Sequence, residues 1–307
     1  MGQLEDMKIF IRIVEAGGIG AAAEQLCIAK SAVSRRLSGL ESDLGITLIN
    51  RTTRTSNLTD AGNLYYKRAL GIIDDVIELN NTTSNLELAL QGTLRLSAPL
   101  SFGVNHLAPV LSGYIKQHPE LSLSVDFADH YIDLIEGGYD LAFRIGTLQD
   151  STLIARPIAP IKLIMCASPA YLEQSGLPKG PDDLKNHQLL YYSSSDVLTW
   201  KLNDKNGEEI SIPVTEKITS NNGDFLNQMA IDGHGIIISP TFISWQALAE
   251  GKLVPVLTDY SIPSTHAYAV YPNTRYLPQK TRLLIEYLKE QFNENPYWDQ
   301  DIDSLPD

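Results

Sequence analysis

Leu4, Met7, Ile11 and Val14 recur three and four residues apart, which places them on one face of a helix, and Gly17-Gly18 supplies the stop. A second, short helix follows with Ala22, Ala23 and Leu26 inward. After the tight Cys27-Ile28-Ala29 connection, Val33, Leu37, Leu40 and Leu44 define the buried stripe of a third helix that ends at Gly45. Residues 47–58, TLINRTTRTSNL, place β-favouring residues on both sides of Arg51-Thr52-Thr53, which predicts a two-stranded ribbon with a basic, polar tip. Three helices and a wing therefore occupy 1–58.

Thr59 can cap the next helix, with Asp60 in its first turn where the helix dipole favours an anion. Tyr65, Ala69, Ile72, Val76, Leu79, Thr83, Leu86 and Leu90 then alternate spacings of four and three, a narrow seam that asks for a partner helix. The pattern predicts a linker and dimerisation helix over 59–91. From Gly92 short strands alternate with helices: Thr93–Ala98, a helix carrying Leu107, Val110, Leu111 and Tyr114, then Leu121–Phe127, Asp140–Ile145, Leu163–Ala167 and Ile236–Ser239. That alternation is the signature of βαβ units and a largely parallel sheet. A hairpin is expected at Asn206-Gly207, a strand over Ala267–Tyr271 and a last helix over Gln279–Phe292. The acidic, proline-containing tail from Asn293 is expected to fray.

A chain of 307 residues with 43% hydrophobic and 20% charged positions is long enough for two or three folding units. It contains no apolar run of membrane-spanning length, and its first residues mix acids and bases where a secretory segment would be apolar. The expected compartment is the cytoplasm, with no membrane association. Cys27 and Cys166 lie far apart and offer neither a disulfide framework nor metal-ligand spacing, so no metal or cofactor is expected.

The formal net charge of −13 argues at first against nucleic acid, but the charge is unevenly distributed. Residues 1–68 hold nine basic side chains against seven acidic ones, and the remainder holds 15 against 30. A near-neutral head can contact DNA while an acidic body is repelled from it. On the third helix, opposite its buried stripe, stand Ser31, Ser34, Arg35 and Ser38, with Lys30 at the start. Small hydroxyls and cations of this kind suit base edges and phosphates in a major groove. An isolated stripe of that composition is ordinarily a solvated face. Here it lies on the second helix of a helix-turn-helix and precedes a wing with Arg51, Thr52, Thr53 and Arg54, and that context favours DNA.

The run GGIGAAAEQLCIAKSAVSRRLSGLESDLGITLINRTTRTSNLTDAG closely resembles the LysR-type transcriptional regulators. It carries paired alanines before a leucine, an S-A-V-S-R helix, an L-E-x-x-L-G exit, an L-x-N-R wing and an L-T-x-A-G entry into the linker. SAPLSFG, YDLAFRIG, CASPAYL, GHGIIISPTF and the R-x-L-P-x-K-x-R pattern at Arg275 to Arg282 resemble the same family's effector domain. Some positions depart: Gly18 and Gly20 replace hydroxyl residues, Ala29 replaces a helix cap, Lys30 replaces a polar contact residue, and Gly39 sits within the third helix at a cost of about 1 kcal/mol relative to Ala.

The resemblance implies an α plus α/β architecture: a winged helix-turn-helix at 1–58, a linker helix at 59–91, and a periplasmic-binding-protein-like (type 2) effector domain at 92–307. Subdomain I would comprise 92–162 plus 268–307 and subdomain II 163–267, joined by crossing strands near Pro160–Leu163 and Thr265–Ala269. A small-molecule cleft lies between them. Its expected wall includes Pro99, Leu100, Ser101 and Phe102 at a strand-to-helix corner, Arg144 and Gly146 at a strand end, and Asn221, Asn222 and Thr241 at helix starts. Arg144 can bind a carboxylate effector bidentately, or it can pair structurally with Asp129 or Asp140; both readings stand. His234 is a cleft titrator or a loop residue, and Cys166 is an inert core thiol rather than a redox switch.

The resemblance also implies a homodimer or homotetramer on an interrupted palindrome of double-stranded DNA, a small-molecule effector and contact with RNA polymerase; the carboxylate-binding reading of Arg144 would make that effector anionic. No phosphate-binding loop, G-x-S-x-G or H-E-x-x-H is present, and six scattered histidines form no catalytic set. A solute-binding protein is the rival for residues 92–292, but such a protein has no use for a helix-turn-helix.

Overall fold

The computed structural model describes residues 2–51, 56–83, 90–146, 152–193, 199–215, 217–273 and 277–300. Helices α1 (Gln3–Glu15), α2 (Ile19–Gln25) and α3 (Lys30–Leu44) close around Phe10, Ile13, Ala22, Val33 and Leu37. Neither Gly18 nor Ala29 gives its helix a side-chain cap, as the departures at those positions anticipate. Gly45 ends α3 at φ 68°, a left-handed conformation that a Cβ would strain. Strands β1 (Ile49–Arg51) and β2 (Ser56–Leu58) pair antiparallel as the wing, Ile49 opposite Leu58. One carboxylate oxygen of Glu41 accepts the N–H groups of Leu48 at 2.9 Å and Ile49 at 3.1 Å, tying the wing to α3.

The linker helix α4 (Asp60–Thr83) starts at the expected cap: Thr59 Oγ1 accepts the Gly62 N–H at 2.9 Å. A Cβ on Gly62 would stand 2.0 Å from the Leu48 carbonyl oxygen, so only glycine lets α4 lie this close to the wing. The expected seam divides. Tyr65 meets Phe10 edge-to-face at 5.4 Å and so serves the chain's own head; Ala69 is buried, whereas Ile72 and Leu79 are exposed. Leu86 lies outside the described residues.

Beyond it, β3 (Gly92–Ala98), α5 (Leu100–Phe102), a π-helical turn (Gly103–Leu107), α6 (Ala108–Gln117), β4 (Leu121–Phe127), α7 (Leu134–Gly137), β5 (Leu141–Ile145) and β6 (Leu153–Ile161) build the first lobe. The chain then crosses to β7 (Leu163–Ala167), α8 (Pro169–Ser175), β8 (Leu189–Tyr192), β9 (Thr199–Asn203), β10 (Glu209–Pro213), β11 (Ile218–Ser220), α9 (Gly223–Ile231), β12 (Ile236–Pro240), α10 (Thr241–Ala249) and β13 (Val254–Pro255). It returns on β14 (Thr265–Pro272) and ends with α11 (Gln279–Phe292).

Each lobe holds a five-stranded sheet, ordered β4-β3-β5-β14-β6 and β11-β8-β12-β7-β13. The parallel character is narrower than expected. Only β4-β3-β5 and β11-β8-β12 are parallel, because the crossing strands β6, β7 and β14 and the short β13 enter antiparallel. The β9–β10 hairpin forms, but through a five-residue loop held by Asp204, which accepts the N–H groups of Asn206 and Glu208, rather than through a two-residue turn.

The tail does not fray before residue 300. Tyr297–Asp299 make a 3-10 turn, and Trp298 is fully buried among Phe102, His106, Phe242 and Phe292. Burying an indole outweighs the acidic, proline-containing composition on which the expectation of fraying rested.

Candidate nucleic-acid interface and effector cleft

On α3, Val33, Leu37 and Leu40 point into the core, while Lys30, Ser31, Arg35 and Ser38 are exposed and Ser34 is half-buried. Five of the expected contact residues therefore lie along one accessible side. Arg36 does not join them, because its guanidinium donates to Asp6 Oδ1 at 2.8 Å and fastens α3 to α1. A Cβ on Gly39 would meet nothing within 4 Å, so the glycine leaves the helix surface open. Arg51 ends β1; Thr52, Thr53 and Arg54 lie outside the described residues.

Between the lobes is a cavity of about 380 Å3. Pro99, Ser101, Phe102, Arg144 and Gly146 line it, so the strand-to-helix corner and the end of β5 converge as expected. Leu100, Asn221, Asn222 and Thr241 are not among its lining residues. Leu100 is 42% exposed. Asn222 caps α9 by accepting the Phe225 N–H, and Thr241 is buried, donating to the Lys162 carbonyl at 3.3 Å. Asn221 sits beside that cap, outside the cavity. His234 is exposed and also stands outside the lining.

The walls include groups that sequence reasoning did not assign to the cleft: Asp129, Tyr191, Tyr192, Trp200 and Ser239. Ser97, next to them, is buried and accepts from Arg144 Nη1 and Nη2, both at 3.3 Å. A small polar Ser97 between the apolar Leu96 and Ala98 is the signal that could have flagged it. Arg144 Nη1 also donates to the Phe143 carbonyl at 2.7 Å. Among the described residues Arg144 makes no ion pair within 4 Å, and Asp140 is engaged elsewhere. Burial pulls the Arg144 guanidinium below its ordinary value, opposed by Tyr131, Asp129 and Tyr139; an arginine stays charged regardless. Burial pushes the Asp129 carboxyl up, offset by the Leu100 N–H and Arg144. The cleft thus presents one half-buried guanidinium, with the Asp129 carboxyl nearby, in a mainly aromatic and aliphatic cavity, a setting in which a ligand carboxylate can be held by charge-assisted hydrogen bonds.

Cys166 is fully buried, and burial pushes its thiol up to about 12, which leaves it unreactive. Among the described residues no cluster of His, Cys, Asp and Glu is placed to hold a metal, and no helix is long and apolar enough to cross a membrane.

A winged helix-turn-helix carried by a long helix and followed by two α/β lobes around a cleft defines a ligand-responsive transcriptional regulator. Residues 4–63 match the bacterial regulatory helix-turn-helix protein, lysR family, and residues 89–293 match the LysR substrate binding domain. The chain belongs to the LysR-type transcriptional regulators, DNA-binding proteins whose action is modulated through an effector-binding domain. It is 38% identical over 281 residues to an uncharacterized HTH-type transcriptional regulator of Haemophilus influenzae, covering 91% of this chain and 97% of that one. It is 33% identical to the regulator CrgA of Neisseria meningitidis, and the CrgA structure superposes with a TM-score of 0.59 over 93% of this chain and 97% of CrgA. The full-length structure of the Vibrio cholerae virulence activator AphB is 28% identical, with a TM-score of 0.57 over 94% of this chain and 98% of AphB.

Proposed function

We propose that this regulator reads operator DNA with Lys30, Ser31, Ser34, Arg35 and Ser38 in the major groove and with the wing around Arg51–Arg54 on the backbone, and that an anionic small molecule in the inter-lobe cleft controls it. The observation that carries the reading is the exposure of Lys30, Ser31, Arg35 and Ser38 on the side of α3 turned away from the buried Val33, Leu37 and Leu40. The functional units are 1–58 for DNA, 59–91 for dimerisation and 92–307 for sensing, the last divided into 92–162 plus 268–307 and 163–267.

Two heads held by paired linker helices contact the half-sites of an interrupted palindrome, and two dimers form a tetramer. Cleft closure on the effector favours one tetramer geometry, which changes DNA bend and contact with RNA polymerase. The protein acts in the cytoplasm and catalyses no reaction.

Genome-wide mapping of bound sites tests this reading and supplies the operator; replacing Arg144 with Gln then tests the cleft. The variant should keep its sites while transcription from the adjacent promoters no longer follows the effector. Sites lacking paired half-sites would contradict the DNA part. A variant that responds normally would contradict the cleft part.

A further inference from the structure

Two motif residues take no part in either site, Asp140 of YDLAFRIG and Lys280 of the pattern that ends at Arg282, and the fold brings them together. The Lys280 side chain is only 5% exposed. Its Nζ lies 2.9 Å from Asp74 Oδ2 and 3.4 Å from Asp140 Oδ1, and it donates to the Thr93 carbonyl at 2.6 Å. Arg95 adds a second cation, 3.5 Å from Asp74, and its N–H donates to Asp140 at 2.8 Å. The cluster balances two cations against two anions, as buried charges require.

Its membership crosses a boundary. Asp74 belongs to the linker helix α4, whereas Lys280, Asp140 and Arg95 belong to the first lobe of the effector domain. Contact is close: Gly92 has φ 94°, and a Cβ there would stand 2.9 Å from Asp74 Oδ1, so a side chain would crowd the Asp74 carboxylate.

The strands that leave this cluster are the ones that reach the cleft. β3 runs from Thr93 and Arg95 to Ser97 and on to the Pro99–Phe102 corner; β5 follows Asp140 and carries Arg144 four residues later. They are parallel neighbours, with Leu96 opposite Leu141 and Ser97 opposite Ala142, and Arg144 bonds Ser97 across them. Asp140 and Arg144 are separated by about 13 Å of strand and lie on the same side of it.

We infer that the Asp74–Lys280–Asp140–Arg95 cluster is the coupling joint through which the cleft acts on the linker helix, with Lys280 dividing its charge between Asp140 on the sensing side and Asp74 on the linker. When Arg144 exchanges Ser97 for an effector carboxylate, β5 shifts against β3. The Lys280 ammonium then settles on one carboxylate at the expense of the other, a discrete alternative of the kind that packed interiors transmit. The inference rests on the cleft being the effector site.

Hydrogen exchange on the full-length protein, with no effector present, tests the joint. Asp74→Asn keeps the side-chain shape and removes the linker's charge. It should accelerate exchange at least about fivefold along Lys67–Val76 and also at the cleft ends, residues 98–103 and 143–146, with β7 and β12 unchanged. Lys280→Arg keeps the charge and should alter these cleft amides far less than Lys280→Met does. Should the Asn variant fail to fold, Arg95→Gln gives the same readout from the cluster's other cation. Acceleration confined to the linker helix, or spread equally into β7 and β12, would overturn the coupling. Because no effector enters the measurement, that failure would leave the cleft assignment standing, and a cleft that binds nothing would leave the exchange result standing.

Discussion

Arg36 reaches from α3 to Asp6 on α1 across 2.8 Å, and this contact separates the roles of two adjacent arginines. Arg36 is spent on holding the recognition helix at its angle to the rest of the head, while Arg35, one residue earlier and about 100° around the helix, stays exposed. Asp6→Ala should lower stability by about 1 kcal/mol or less, as a partly exposed ion pair warrants, seen as a small fall in urea midpoint. A loss of several kcal/mol would mean the pair does more than orient the helix.

The two thiols should behave oppositely. Cys27 is exposed, and Cys166 is buried with its thiol raised to about 12. A thiol-reactive dye at neutral pH should label one site per folded chain, identified by mass spectrometry as Cys27, and reach Cys166 only in denaturant. Rapid labelling of Cys166 in the native protein would contradict its packing.

His106 makes acid costly. Its Nε2 lies 2.9 Å from the Phe242 carbonyl, which can only accept, so the ring proton sits there and Nδ1 faces the Tyr297 hydroxyl at 2.6 Å. Burial lowers its pKa below 6.5, opposed by the Phe242 carbonyl and Asp224. The unfolded chain therefore takes up the proton first as pH falls, and the folded state loses stability below about 6.5 toward the lower folded value. His106→Gln should flatten this slope between pH 7.5 and 5.5 in urea titrations. Parallel slopes in the two proteins would show that another group governs the acid limb.

Leu79 is 64% exposed on α4, in line with Ile72 at 43%. In the proposed dimer these side chains would be buried against the partner's α4. Leu79→Asp should weaken the dimer at least about tenfold by analytical ultracentrifugation. An unchanged dissociation constant would place the dimer contact elsewhere.

Local periodicity reported most of the fold. Val33, Leu37 and Leu40 located α3, while Leu44, expected on the same buried stripe, is 39% exposed at the helix end; the predicted ranges Leu121–Phe127, Leu163–Ala167 and Gln279–Phe292 coincide with β4, β7 and α11. What it did not report depends on the rest of the chain. Strand β6 contains Pro157 and Pro160, which argue against a strand; it forms because it is a sheet edge, where a missing N–H costs little, and its pairing with β14 slips between Ala267 and Tyr268. Tyr65 of the α4 seam serves the head because it packs on Phe10, a relationship between residues 55 positions apart, and Leu90 joins the core of the first lobe. At the cleft, Arg144 and the Pro99–Phe102 corner could be read from strand ends. Tyr191, Tyr192 and Trp200 could not, since only the return of the second lobe carries them across.

In the proposed complex the exposed side of α3 enters a DNA groove, and Arg35 is the side chain whose loss would be felt first. A duplex selected by the protein from a randomised pool, titrated by fluorescence anisotropy at several salt concentrations, reports both affinity and the number of phosphate contacts. Arg35→Glu should weaken binding at least about 100-fold, since a dimer loses two charge-assisted contacts of roughly 1.5–3 kcal/mol each, with the melting temperature and oligomer unchanged. Binding of wild-type strength with an unaltered salt slope would remove this face of the helix from the DNA.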